Sequence, residues 1–167
     1  MTDTNGFRDS ATALYDLIGS SSDSAGWSGG SQGSASIPAW QHDIVAKILA
    51  ITTGQDILYL SLSSPDEGNW EIVAFTEAVV VHVQINRQTP TSTYSEIQCF
   101  PRSSLLSLEI VEVDPMPVDD ASWPTNLNLL GRYRTATVAL PLDRFASPTN
   151  KKDLSRLLAS LLNDLAR

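Results

Sequence analysis

The sequence is poor in cysteine and histidine, and this scarcity excludes several kinds of chemistry. Of 167 residues, one is cysteine and two are histidine. The single thiol, Cys99, cannot form a disulfide within the chain or supply an all-cysteine metal cluster. Its apolar, strand-like surroundings predict a buried, unreactive thiol. His42 and His82 lack the spacing of paired metal ligands, so we interpret both as structural and expect no metal or cofactor.

Long apolar runs are also missing. None approaches the roughly 20 residues that a membrane-spanning helix requires. The first six residues are polar and acidic, unlike a secretory signal peptide. We therefore expect a soluble cytoplasmic protein, and the length suits one domain.

Basic residues are scarce in the first 120 positions, which hold four basic and sixteen acidic residues. Positions 121–167 hold seven basic and three acidic residues. An acidic body repels nucleic acid and anionic membranes, so neither is expected as a partner. We take six residues as candidates for binding a partner. Four are basic residues after position 120, namely Arg132, Arg134, Lys151 and Lys152, and the other two are Arg102 and Trp123. For the cations we favour pairing with the acidic body, and for Trp123 a lid over the sheet.

Catalytic motifs are not convincing. Gly26–Gly30 fits G-x-S-x-G, but it lies in a Ser/Gly-rich tract that generates this pattern freely. Asp114, Asp119 and Asp120 lack the spacing of a calcium loop and are interpreted as solvated charge. We predict that the protein is not an enzyme. A site built from scattered residues such as His82, Arg102 and Asp114 remains an alternative.

The first 36 residues are predicted to form a separate segment, and residues 37–167 a single α+β domain. Phe7, Ala11, Leu14, Tyr15 and Ile18 have helical spacing, and the helix should end near Gly19. Residues 20–36 read as a flexible linker, so this helix is expected to be tethered, docking on its own domain or on a partner. A second helix should run from Pro38 to about residue 52.

Strands are predicted from position 56 onward, where apolar residues alternate with polar ones. Six are indicated, with a polar loop over 86–93, a long loop over 114–131 in which a seventh strand could lie, and a last strand over 133–140. The alternation slips by one residue after Ile110, which predicts a β-bulge.

The clearest pattern is C-terminal, where six leucines mark one helical face. Asn150, three residues before Asp153, is the predicted helix cap. The predicted fold is α+β: an antiparallel twisted sheet or partly open barrel of six to seven strands, capped by a C-terminal amphipathic helix and preceded by N-terminal helices.

Three segments, Ile72–Val83, Phe100–Leu105 and Leu154–Leu165, give the region from Asp56 to Ala166 a resemblance to the bacterial pleckstrin-homology-like domains. The resemblance implies a binding domain, since this superfold hosts lipid, peptide and protein binders. Lipid-binding members carry basic residues between their first two strands. Here that loop, Ser64–Gly68, is acidic, which argues against binding of phosphoinositides or membranes.

Our hypothesis from the sequence is a non-enzymatic interaction module with a protein partner. Its binding surface would be an exposed sheet edge, the 114–131 loop or the N-terminal helix. The alternative is a small acidic chaperone or regulatory protein that forms a homodimer through its helices.

Overall fold

The computed structural model describes residues 4–21, 27, 37–52, 55–89, 92–115, 126–143 and 146–166. Within them the chain forms three helices, seven strands and a single 3-10 turn: α1 (Thr4–Ser21), α2 (Ala39–Ile51), β1 (Tyr59–Ser63), β2 (Asn69–Phe75), β3 (Val79–Thr89), β4 (Ser92–Pro101), the turn (Arg102–Ser104), β5 (Leu105–Val113), β6 (Leu127–Tyr133), β7 (Thr137–Leu140) and α3 (Pro148–Leu165). The predicted α+β class and C-terminal helix are confirmed. The strands form two antiparallel sheets, β1-β2-β3-β4 and β5-β6-β7, and do not close into a barrel.

The centre of the first sheet is buried on both faces. Successive side chains of a strand point to opposite sides, so each strand there contributes to two cores. One face packs against α1 and α2 through residues such as Leu62, Ile72 and Val81. The other packs against the second sheet and α3 through Val73, Phe75 and Val80. This double burial explains why β3 begins with three consecutive valines.

The N-terminal helix belongs to the core, which corrects the expectation of a tethered appendage. Leu14, Tyr15 and Ile18 are buried against α2 and the first sheet. The hydroxyl of Tyr15 lies 2.6 Å from Nδ1 of His42 on α2. Of the two alternatives for α1, docking on its own domain is the one observed.

Parts of the Ser/Gly-rich tract lie outside the described residues, as does most of the G-x-S-x-G match. Trp27 within it is described and is buried in the same core as α1. Its ring meets that of Trp40 edge-on, at a centroid distance of 5.4 Å. At least this residue of the predicted linker therefore contributes to the fold.

Two strand predictions are wrong in their boundaries. The polar segment 86–93 extends the β3–β4 ladder, with Asn86 opposite Tyr94 and Arg87 opposite Thr93. The predicted final strand is divided into the end of β6 and β7 by a turn closed by Tyr133 N–H donating to the Ala136 carbonyl at 2.8 Å. β6 begins inside the predicted long loop and supplies the seventh strand.

The slip in alternation after Ile110 is a break in register, as predicted. Ile110 pairs with Leu129 and Glu112 pairs with Asn128, which leaves Val111 as the extra residue on β5. A second shift lies between Leu105 and Ser107 at the start of the same strand. Such irregularities bend a strand and redirect its side chains.

The cap of α3 differs from the prediction. Ser147 is the N-cap, and its Oγ accepts from the Asn150 N–H at 3.2 Å, followed by Pro148 at the first helical position. Asn150 is instead buried, accepting through Oδ1 from the Tyr59 hydroxyl and donating through Nδ2 to the Leu60 carbonyl. These bonds fix the start of α3 against β1.

Candidate interaction surface

β5 is an edge strand whose aliphatic side chains are exposed. Among the described strands it pairs with β6 alone. Ile110, Val111 and Val113 are 54%, 60% and 40% exposed, and Leu106 at its other end is 63% exposed. Native proteins usually protect such an edge with charge, proline or a covering element, because its unpaired backbone groups can recruit another strand.

The pairing of β5 with β6 shows on which face of the second sheet the exposed residues of β5 lie. Ile110 is opposite Leu129 and Val113 is opposite Leu127, and both partners are buried in the core. Directly opposed residues share a face. Ile110 and Val113 therefore lie on the core-facing side of the second sheet, but at an edge that the core does not cover.

The helix α3 runs alongside this edge in the opposite direction. Its last turns lie near the beginning of β5, because Ser160 and Asp164 bind the side chain of Arg102, three residues before β5 starts. Its first turn lies near the end of β5, because Lys151 Nζ donates to Asn126 Oδ1 at 2.7 Å, next to the partner of Val113. The helix thus flanks the core-facing side of the strand.

Two leucines of α3 add to the exposed apolar area. Leu154, Leu157 and Leu161 are buried, as the leucine pattern predicts, and each contributes about 1.5–3 kcal/mol. Leu162 and Leu165 from the same pattern are exposed. We use the name β5–α3 surface for the six exposed aliphatic residues: Leu106, Ile110, Val111, Val113, Leu162 and Leu165.

The opposite face of β5 is acidic. Glu109 has an ion pair with Arg132 on β6 at 3.6 Å, and both side chains are more than half exposed. Glu112 accepts from the Asn128 amide at 2.8 Å. Because an amide carries no charge, this bond does not neutralise Glu112, which has no ion pair among the described residues.

One of the two edge strands of the first sheet, β4, has a different surface. Glu96 and Gln98 are exposed and hydrogen-bonded to each other at 2.9 Å. Cys99 is exposed as well, which corrects the prediction of a buried thiol. It lies opposite the buried Val81, on the face that packs against α1 and α2, but it belongs to an edge strand. Partial burial nevertheless raises the pKa of the Cys99 thiol. Around Glu96 and Gln98, β4 therefore has the polar character expected of a protected edge, although Tyr94 near its start is 63% exposed.

The structure places Arg102, a candidate binding residue, in the interior. Its side chain is 3% exposed, and Nη2 lies 2.6 Å from Asp164 Oδ2. Nη2 also donates to Ser160 Oγ at 2.7 Å and Nη1 to the Thr76 carbonyl at 2.9 Å. Arg102 joins the first sheet, the β4–β5 junction and α3, and its guanidinium is occupied there.

The other candidate cations do not form one patch. Arg132 and Arg134 are exposed at the end of β6, near the start of β5, where the Arg134 N–H donates to the Ser104 carbonyl. Lys151 and Lys152 lie at the opposite end, in the first turn of α3. Arg132 pairs with the acidic Glu109, the kind of intramolecular pairing that we favoured from the sequence, whereas the partner of Lys151 is the neutral amide of Asn126. Trp123 lies outside the described residues, together with Asp119 and Asp120.

The three residues of the alternative catalytic site, His82, Arg102 and Asp114, each bind a different partner within the fold. His82 Nε2 lies 2.6 Å from Glu71 Oε1 within the first sheet. Asp114 binds the main-chain and side-chain nitrogens of Asn126 at 2.7 and 3.0 Å, and Arg102 binds Asp164. Within the described part of the chain, no group of three or more His, Cys, Asp or Glu residues is placed to hold a metal ion.

A cleft of about 730 Å³ lies between α1, α2 and the segment before β1. Its walls are largely leucine and alanine, including Leu17 and Ala46. Two of its polar side chains are used within the fold: Thr52 Oγ1 donates to the Ile48 carbonyl, and Gln55 Oε1 accepts from Thr76 Oγ1. A ligand site normally offers a few convergent polar groups, so the β5–α3 surface is the stronger candidate.

No protein-family model, curated protein or solved structure matches this chain. None of the helices in the described residues has both the length and the apolarity that crossing a bilayer requires. Functional inference therefore depends on the surface itself.

Proposed function

We propose that the protein is a non-enzymatic, cytoplasmic interaction module that binds an extended segment of a partner protein along β5. The observation that carries the proposal is the row of exposed aliphatic residues on a strand edge that no other described strand covers. Strand addition uses main-chain hydrogen bonds for affinity and side-chain contacts at alternate positions for specificity. β5 offers both.

The contrast between the edge strands β4 and β5 supports this choice. β4 carries charged and amide side chains, which discourage pairing with another strand. β5 carries aliphatic side chains on the side that α3 flanks, so an added strand would bury apolar surface as well as form hydrogen bonds. Clusters of exposed apolar side chains are typical of protein-binding sites, and β5 alone carries four such residues.

The resemblance to pleckstrin-homology-like domains is part of the proposal. It is supported by seven antiparallel strands followed by a single C-terminal helix. The acidic loop between β1 and β2, with Asp66 and Glu67 exposed, remains the argument against a phosphoinositide ligand. A protein ligand therefore suits this chain better than a lipid.

The test is site-specific photo-crosslinking in the cells that produce the protein. A photoreactive amino acid at Ile110 should give covalent adducts with a partner protein, whereas the same group at Gln98 on β4 should give none. Deleting residues 1–36 is unsuitable for this purpose, since it would remove the buried residues of α1. Adducts at Gln98 alone, or adducts only with a second copy of the chain, would contradict the proposal; the second result would favour the dimeric chaperone or regulatory protein.

A further inference from the structure

We propose that the partner segment alternates aliphatic and basic side chains, with the aliphatic ones toward α3 and the basic ones toward Glu109 and Glu112. This inference rests on the proposed function, because it names the chemistry of the segment that β5 receives. It comes from the two different faces of one edge strand: aliphatic on the core-facing side and acidic on the outer side.

Strand geometry fixes the alternation. A strand added antiparallel to β5 places successive side chains on opposite faces, each next to the β5 residue that it opposes. On the core-facing side these neighbours are Ile110 and Val113, near the end of β5, whereas Leu162 and Leu165 belong to the last turns of α3, near the beginning of the strand. An aliphatic side chain opposite Ile110 or Val113 would displace water from the apolar surface of the strand.

On the outer side the neighbours are carboxylates. Arg132 compensates Glu109 only weakly, because the pair is 3.6 Å apart and solvent-exposed. The Asn128 amide does not neutralise Glu112. A lysine or arginine of the partner would form ion pairs with these carboxylates, and opposite charges across a strand pair are stabilising.

Charge also argues against a second copy as the occupant. Each chain has a formal net charge of −8 and brings its own Glu109 and Glu112 to the edge. Antiparallel pairing centred on Glu109 would place the two copies of that residue directly opposite each other, and like charges in that position are destabilising. The same net charge repels a second copy at long range and attracts a cationic segment.

The test uses synthetic peptides with blocked ends and the full chain. The probes are nine-residue peptides that alternate lysine with valine, alternate glutamate with valine, or contain the lysines and valines of the first peptide in two separate blocks. Fluorescence anisotropy measures binding, and hydrogen exchange locates it. We expect the alternating lysine peptide to bind most tightly, to protect β5 amides and to weaken with added salt.

Matched charge reversals assign the effect to the outer row. Glu112→Lys should weaken binding of the lysine peptide roughly 2- to 30-fold, because an attractive pair becomes a repulsive one. Glu96→Lys, the same change on the edge strand β4, should leave binding unchanged. The double variant Glu109→Lys/Glu112→Lys should prefer the glutamate peptide.

The inference is overturned if the glutamate or block peptide binds the natural chain as well as the lysine peptide does, or if Glu96→Lys weakens binding as much as Glu112→Lys. Concentration-dependent dimerisation through β5, seen by light scattering and by exchange protection, would also overturn it. If no peptide binds but Ile110 still crosslinks to a partner, the proposed function stands and the partner chemistry is wrong. If Ile110 gives no crosslink, the proposed function itself fails.

Discussion

Replacing Arg102 with methionine should destabilise the protein more than any change of an exposed charge. Methionine keeps much of the apolar stem and removes the guanidinium. The lost bonds are those of Nε and Nη2 to Asp164 at 2.9 and 2.6 Å, of Nη2 to Ser160 and of Nη1 to the Thr76 carbonyl. These bonds connect α3 to the junction between the two sheets.

The magnitude follows from what remains after the substitution. The Asp164 side chain is 10% exposed, so without Arg102 its carboxylate is a buried charge with no counter-ion. Breaking a buried pair in this way costs about 3–5 kcal/mol. Against a total stability of roughly 5–15 kcal/mol for a domain, such a loss is large.

Urea unfolding followed by tryptophan fluorescence measures the effect, and a double-mutant cycle assigns it to the pair. Asp164→Leu combined with Arg102→Met removes both charges and should be more stable than Arg102→Met alone. Arg156→Met is the control. Its pair with Asp153 is 3.0 Å long, but the arginine side chain is 69% exposed, so the expected loss is below about 1 kcal/mol.

Two results would refute this reasoning. One is a loss for Arg102→Met no greater than that for Arg156→Met. The other is a double variant no more stable than Arg102→Met. Either would mean that the guanidinium is not held in the interior, and Arg102 would again be a candidate for binding a partner.

Three further predictions concern local features. Gly68 has φ +85°, and a Cβ there would lie 3.0 Å from the Arg87 carbonyl oxygen. Gly68→Ala should therefore lower the free energy of unfolding by about 1–2 kcal/mol in urea titrations. An unchanged free energy of unfolding would contradict this argument from backbone strain. Cys99 should react with a thiol reagent in the native protein, giving one modified thiol per chain, and a requirement for denaturant would contradict its exposure. Burial raises the pKa of Tyr15 to about 12 from an ordinary 10.0. The contribution of the neutral phenol to stability is therefore complete below pH 10.0 and is lost as the pH rises toward 12. Over this range the free energy of unfolding should fall less steeply in Tyr15→Phe than in the natural chain.

The sequence predicts those parts of the fold in which local pattern and tertiary packing agree. The leucine spacing of α3 is such a case, and the slip after Ile110 gave the register break of β5. The polar segment 86–93 was misread because β3 and β4 extend beyond the core there, where solvent-exposed strands need no apolar residues. Alternation cannot indicate strands whose side chains are exposed on both faces.

The candidate interaction surface was predictable only as a class of site. An exposed sheet edge was one of three options, and nothing in the sequence distinguishes the exposed Ile110 from the buried Leu129 opposite it. Their difference depends on strand order, which places β5 at an edge and β6 in the middle. Arg102 illustrates the converse: its buried role depends on Asp164, 62 residues away along the chain.

The two-sided burial of the first sheet has a consequence for synthesis on the ribosome. Chains emerge N-terminal part first, at about 5–20 residues per second, so α1, α2 and β1–β4 can assemble before β5 exists. Until β5–β7 and α3 follow, the sheet face that carries Val73, Phe75 and Val80 has no cover. A stalled chain of which only the residues before β5 have emerged from the ribosome would therefore expose an apolar sheet face. We expect chaperones to bind this intermediate during translation.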